Sequence, residues 1–227
     1  MAEAAEKYAW KEIPGSSHAL LRERLRSMPA GMRLLDLGAA GGHLGRAVRD
    51  RCAYLAGVEP DLSLPPSCRE GYDDWRAVDS LSAGDWEIPF DTVVCADVLE
   101  HLPRPEELLS RIRAWLRPGG VLIVSLPNVA NVTVRASLLA GHFPYADRGI
   151  LDRTHLRFYT RSTAKSLIES AGFRVRSISA TAMPYELAVP ALGQPPLAAP
   201  LRGFAAATAR LWPTLFGYQF VIEAEKR

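Results

Sequence analysis

The stretch Leu34-Leu35-Asp36-Leu37-Gly38-Ala39-Ala40-Gly41-Gly42-His43-Leu44 decides how this chain reads. An apolar run over 33–37 meets a glycine cluster, and helix-like apolar spacing resumes over 44–48. That pattern is a buried strand, a tight turn and a helix. Glycine matters at such a turn because no Cβ keeps a ligand away from the backbone amides at the helix start. A second apolar strand over 54–58 closes in Glu59-Pro60. It puts an acid about twenty residues after the turn, where a carboxylate can accept both hydroxyls of a ribose. Turn and acid together describe a nucleoside site at the carboxyl ends of parallel strands. The turn alone reads equally well as a tight turn beside a surface glutamate.

Working outward, further strands fall at 75–78, 91–95 and 120–126, the last entered through Pro118-Gly119-Gly120. Between them, Leu108, Leu109, Ile112, Trp115 and Leu116 mark an amphipathic helix over 106–116. Nearly continuously apolar strands alternating with helices mean a parallel sheet covered on both faces. The second half predicts a helix over 160–171, capped by Thr160 or Ser162 and stopped by Gly172, then strands over 173–180 and 219–224. A helix is expected over 203–211. Segments 128–159 and 183–213 break the alternation. They read as insertions that build an acceptor pocket or lid on one domain spanning 1–227.

Composition narrows the classes. With 227 residues, 48% of them hydrophobic, the chain can bury a core without a disulfide or metal staple. Lys and Arg total 27 against 25 Asp and Glu, which argues against a dedicated nucleic-acid binder. Cys52, Cys68 and Cys95 are scattered, which disfavours a disulfide framework and a zinc ribbon. A reducing cytoplasm fits that usage, and the acidic start lacks the pattern of a signal peptide. No apolar run approaches the ~20 residues of a membrane span.

A dinucleotide fingerprint, G-x-G-x-x-G, fails here: counted from Gly38, its positions hold Gly38, Ala40 and His43. The pattern acid-x-Gly-x-Gly-x-Gly is met from Asp36 to Gly42, with Ala40 in place of the middle glycine. It resembles the first motif of class I S-adenosylmethionine-dependent methyltransferases. Glu59 then matches that family's ribose-binding acid, and Asp79, with Ser80 and Leu81 behind it, the acid that meets the adenine amino group. Phe90 through Leu102 (FDTVVCADVLEHL) resembles the fourth-strand motif of ubiquinone-type O-methyltransferases, and Leu116-Arg117-Pro118-Gly119-Gly120 the turn before strand five. The resemblance implies a Rossmann-like, doubly wound, seven-stranded α/β sheet, mostly parallel with one antiparallel strand, and helices on both faces. The runs Ser125 to Asn131 and Asp152 to Thr160 are similar to bacterial methyltransferases that accompany glycosyltransferases. They imply a hydroxyl on a sugar-like or natural-product acceptor.

The resemblance assigns S-adenosylmethionine contacts to Gly38, Ala40, Gly42, Glu59, Asp79, Ser80 and the backbone near Ala96. Asp36 supports the turn, and Tyr8 closes over the cofactor from the N-terminal segment. A hydroxyl acceptor benefits from a base, and of the five histidines His101 and His155 are the candidates. His101 follows strand four at the mouth of the cleft, and His155 lies in the insertion expected to fold over it. A helix through 97–101 would put Asp97, Glu100 and His101 on one face, where they could hold a divalent metal with His155. That metal reading is the less favoured one, because a sulfonium donor needs no metal to activate it. Arg153 and Arg157 are candidate anion clamps or surface ion pairs. Two rivals remain: a non-catalytic methyltransferase-like partner subunit, signalled by Ala40, and a nicotinamide-dependent oxidoreductase. The apolar 183–216 segment suggests a homodimer contact, a membrane-surface contact or a pocket lid.

Overall fold

In the computed structural model, residues 15–184, 194 and 198–227 are described. Tyr8 and most of 185–197 lie outside them. The first helix, α1 (Ser17–Ser27), is capped by Ser16, whose Oγ accepts from the Ala19 amide at 3.2 Å. Then follow β1 (Met32–Leu37), α2 (His43–Val48), β2 (Cys52–Val58), β3 (Asp74–Arg76) and β4 (Phe90–Ala96). The second half contains α3 (Pro105–Trp115), β5 (Leu116–Pro127), α4 (Val132–Leu139), α5 (Arg161–Ser170) and β6 (Phe173–Ala180). It ends with α6 (Ala198–Leu211), α7 (Pro213–Phe216) and β7 (Gln219–Lys226).

The seven strands form one sheet in the order β3-β2-β1-β4-β5-β7-β6. β1 to β5 are mutually parallel, and β7 runs antiparallel between β5 and β6. The expected architecture is therefore present, with its single reversed strand. Alternate residues of each strand feed opposite faces. Leu34, Leu55, Val94, Ile123 and Val221 join Leu21 and Leu25 of α1 on one side. Leu35, Ala56, Val93, Leu122 and Val124 join Leu108, Ile112, Ala164 and Ile168 on the other. Burial on both faces is why these strands carry no polar alternation.

The parallel order brings the ends of β1, β2 and β4 to one edge of the sheet. At that edge lie Gly38, Glu59 and Ala96, at the switch point where strand order reverses. Two local expectations are corrected. The third strand is Asp74–Arg76 and stops short of Val78. No α-helix runs through 97–101: Asp97 has a left-handed φ of 53°, and only Leu99–His101 coils, as a single 3₁₀ turn. The 128–159 segment contains α4, whose sequence VTVRASLL has no amphipathic pattern to announce it.

Two buried asparagines clasp that segment to α7 and the turn that leads into β7. Asn128 Nδ2 donates to the carbonyls of Thr214 (3.0 Å) and Gly217 (2.8 Å). Asn131 Nδ2 donates to Gly217 (2.9 Å) while its Oδ1 caps α4 through the Thr133 amide. Both side chains are wholly buried, and each uses its amide nitrogen and its oxygen in hydrogen bonds, as buried polar groups do.

Candidate active site

The glycine turn is held on three sides. Gly38 and Ala39 donate their amides to the Val58 carbonyl at 2.9 and 3.1 Å, hooking the turn to β2. Gly38 has φ +71°, and a Cβ there would stand 2.6 Å from Val98. Gly42, with φ +66°, caps α2, and a Cβ would come within 2.0 Å of the Cys68 carbonyl. Ala40 also has a left-handed φ, 45°, so it bears the strain that a glycine would escape.

Glu59 organises this edge. Its Oε2 accepts from the Ala40 amide (2.8 Å) and its Oε1 from the Asp61 amide (2.9 Å). A carboxylate offers about four lone-pair sites, so two protein donors leave capacity for two ligand hydroxyls. Beneath the turn Asp36, 3% exposed, accepts from the Tyr72 hydroxyl at 2.7 Å. Burial, reinforced by the charge of Glu59, pushes its carboxyl up to about 6 against the pull of that hydrogen bond. Asp79 is exposed and caps a 3₁₀ turn (Ser80–Ser82), its Oδ1 accepting from the Leu81 and Ser82 amides at 3.0 Å. Ser80 is buried behind it, and Ala96 ends β4 half-buried. A glycine turn, a ribose-competent acid and a further acid just after β3 suit an adenosine-bearing cofactor.

The opposite wall is made by the Leu99–His101 turn and the 150–158 loop. The Glu100 carbonyl accepts from the Leu156 and Arg157 amides at 2.8 and 3.0 Å, pinning the loop over the mouth. His101 and His155 thereby meet edge to face, ring centroids 4.8 Å apart. His155 Nδ1 lies 3.1 Å from the Ile150 carbonyl, to which it donates, so Nε2 keeps its lone pair. Thr154 donates its hydroxyl to Asp152 Oδ1 at 2.6 Å, so towards His101 Nδ1, 3.2 Å away, it can only accept. His101 is thus held in the same tautomer. Burial, helped by the neighbouring His101, holds His155 below the ordinary histidine value. It is a neutral base at physiological pH.

Glu100 is wholly buried, and neither carboxylate oxygen has a hydrogen-bond partner. Burial, then the charge of Asp97, raises its pKa well above the usual range. One ligand-capable atom from each of Glu100, His101 and His155 lies within 4.8 Å of the others. Asp97, expected in that set, is turned elsewhere: its Oδ1 accepts from Ser125 Oγ (2.7 Å) and Gln219 Nε2 (2.8 Å). Arg153 pairs with Asp147 at 2.8 Å on the exposed surface, and Arg157 donates to the Pro103 carbonyl. His43 is exposed on α2. Tyr72, Thr154, Asp152, Ser125 and Gln219 are the supporting residues that the sequence reading missed. A cavity of about 410 Å³ between Arg24, Met28, Thr92, Arg117 and Glu223 lies at the other end of the strands and includes none of these groups.

Residues 9–178 match a family described as a methyltransferase domain. A ubiquinone biosynthesis O-methyltransferase of Xylella fastidiosa (strain M23) is 33% identical over 137 residues, 54% of each chain. The chain spans between about half and two thirds of the length of the curated relatives it matches. A SAM-dependent methyltransferase from Archaeoglobus fulgidus has a similar structure, with TM-score 0.61 and 22% identity over 93% of this chain and 95% of that one. The [4+2]-cyclase SpnF is alike too, with TM-score 0.62 and 22% identity over 97% of this chain and 83% of its own.

Proposed function

This chain belongs to the methyltransferase-domain family, of the class I S-adenosylmethionine-dependent type, and from that premise we propose that it methylates a hydroxyl of a small-molecule acceptor, sugar-like or a natural product. The observation that carries the reading is His155, a neutral imidazole with Nδ1 committed to Ile150 and Nε2 open beside His101. Fold likeness alone would not carry it, since a [4+2]-cyclase has the same fold. S-adenosylmethionine would supply a methyl group on a sulfonium: the acceptor's C–O bond forms as the C–S bond breaks, and the electron pair leaves on sulfur.

The chain's own part is mainly placement, which can contribute about 7–11 kcal/mol by alignment alone. Gly38, Ala40 and Gly42, whose amides are engaged within the fold, would let the cofactor lie close against the turn, while Glu59 would take its ribose and Asp79 and Ser80 its adenine. Ala96 closes the cleft floor and Asp36 stiffens the turn from below. His155 Nε2 would take the hydroxyl proton, with His101 fixing the acceptor oxygen beside it.

A second reading has its own observation, the unpartnered Glu100 carboxylate within reach of both imidazoles. Glu100, His101 and His155 would then hold a divalent cation, which lowers the pKa of a bound hydroxyl. The donor set fits: one carboxylate and two imidazoles whose Nδ1 atoms are fixed by outer partners. The test is calorimetric titration with S-adenosylmethionine, followed by methyl transfer to hydroxylated acceptors before and after chelation. Binding with chelator-resistant turnover supports the base. Turnover lost to chelator and restored by Mn²⁺ or Zn²⁺ supports the cation. Absence of S-adenosylmethionine binding ends both.

A further inference from the structure

The glycine turn is braced by a side chain that lies outside the acid-and-glycine motif. The first helical bond of α2 runs from the Arg46 amide to the Gly42 carbonyl at 3.1 Å, so the buried Gly41 carbonyl just before it needs another donor. The Arg46 guanidinium supplies it. Its Nη2 donates to Gly41 at 2.7 Å, while Nη1 donates to the carbonyls of Ser67 (3.1 Å) and Cys68 (3.3 Å). Those two residues belong to a 3₁₀ turn (Pro66–Arg69) in the loop that follows Glu59. His43 Nδ1 lies 3.2 Å from Nη2, and because a guanidinium only donates, the imidazole accepts. The His43 ring also lies over Gly41, where a Cβ would come within 2.7 Å of it.

Arg46 therefore ties the glycine turn to the loop after Glu59, beside the bond between Glu59 and the Ala40 amide. One bond would leave a hinge between the two segments; a second, at Gly41, fixes the angle of the turn. The charge of Arg46 is spent on carbonyl dipoles, whereas Arg49, just beyond α2, pairs with Asp73 at 3.0 Å. We propose that Arg46 is a positioning residue for the cofactor: it holds the glycine turn in its binding geometry, sets the affinity for S-adenosylmethionine, and takes no part in methyl transfer. The inference rests on the cofactor reading of that turn and of Glu59. A turn that is correctly set for only a fraction of the time weakens binding by that fraction. Lysine cannot stand in for Arg46, since a point ammonium does not span the carbonyls of two segments as a planar fork does.

The test is calorimetric titration of the whole protein with S-adenosylhomocysteine, which needs no acceptor. Arg46→Lys and Arg46→Gln should each raise the dissociation constant at least about fivefold, at a temperature where melting curves show them folded. Arg49→Lys also gives up a carbonyl (Cys52, 3.0 Å) and an acid (Asp73, 3.0 Å), but none on the turn. Its dissociation constant should stay within about twofold of the parent's. With any acceptor that the parent methylates, KM for S-adenosylmethionine should rise by the same factor in Arg46→Lys while kcat holds level. A folded Arg46→Gln protein that melts earlier but binds as the parent does makes Arg46 a structural residue only, and overturns the proposal. So does an equal loss of affinity in Arg49→Lys. A parent that binds no S-adenosylhomocysteine removes the cofactor reading itself, and this inference with it.

Discussion

Around the glycine turn the buried acids have protein partners, Tyr72 for Asp36 and the Ala40 and Asp61 amides for Glu59. Across the cleft the situation reverses. Both Glu100 oxygens and the Tyr159 hydroxyl are buried and unpartnered, the latter raised to about 12 by burial and the charge of Glu100. Leaving such groups unmade costs about 1–3 kcal/mol each, so natural folds keep them where something else completes the set. On the proposed assignment, the comparison separates a cofactor wall whose buried acids are satisfied within the fold from an acceptor wall whose buried Glu100 and Tyr159 groups are not. Mutations on the first should be felt in stability and cofactor affinity, and on the second in turnover.

The largest effect is expected on the acceptor wall. His155→Ala should lower kcat about 100-fold or more while S-adenosylmethionine affinity stays level. Because burial lowers the His155 pKa, the acid limb of kcat in the parent should fall below the ordinary histidine value of about 6.5. Activity should then be full at pH 7 and lost as pH falls. A folded His155→Ala enzyme that turns over normally would remove the distinction between the walls.

Next comes Asp36, on the cofactor wall. Its folded carboxyl, at about 6, lies above the ordinary aspartate value of 3.8. The native state then binds the extra proton, so this group's contribution is present below about pH 4 and is lost as pH rises through about 6. The difference between 3.8 and about 6 corresponds to about 3 kcal/mol. Asp36→Asn keeps an acceptor for the Tyr72 hydroxyl and removes the titration. Denaturant melts should show the variant gaining on the parent between pH 4 and 7 by an amount of that order. A parallel pH dependence in the two proteins would mean that Asp36 is not the buried acid described.

Glu59→Ala is expected to act more gently, by at least about tenfold in S-adenosylmethionine affinity, from loss of charge-assisted bonds to the ribose. It also frees the Ala40 and Asp61 amides, so a drop in melting temperature should accompany it. An unchanged dissociation constant would detach Glu59 from the cofactor.

The two walls differ in the same way in how much of them the sequence revealed. Strands buried on both faces leave long apolar runs, and the turn and Glu59 lie close in sequence, so β1, β2, β4 and β5 could be placed from pattern alone. The acceptor wall depends on distant pairs. Gln219 reaches Asp97 across 122 residues, and the Asp152–Thr154–His101 relay joins segments about fifty residues apart. No local period encodes such contacts. The left-handed Asp97 is held by them as well, through Ser125 and Gln219, which is why a helical face through 97–101 was the wrong expectation.

The smallest effect tests the residue that first made the turn look defective. Ala40 stands where the resembling motif has glycine, and a methyl group there could crowd a cofactor. The structure gives it φ 45° and an amide still bonded to Glu59 at 2.8 Å, so the turn keeps its geometry and the alanine bears strain instead. A left-handed alanine costs about 1–2 kcal/mol, while glycine adds about 0.5–1 kcal/mol of unfolded-chain entropy. Ala40→Gly should therefore gain about 0.5–1 kcal/mol, roughly 1–4 °C for a chain of this length. Affinity for S-adenosylmethionine should stay within about twofold, because the amide that faces Glu59 does not move. A tenfold gain in affinity would show the methyl group pressing on the cofactor. The cofactor wall would then be unfinished too, and the reading of this chain as a non-catalytic partner subunit would regain its footing.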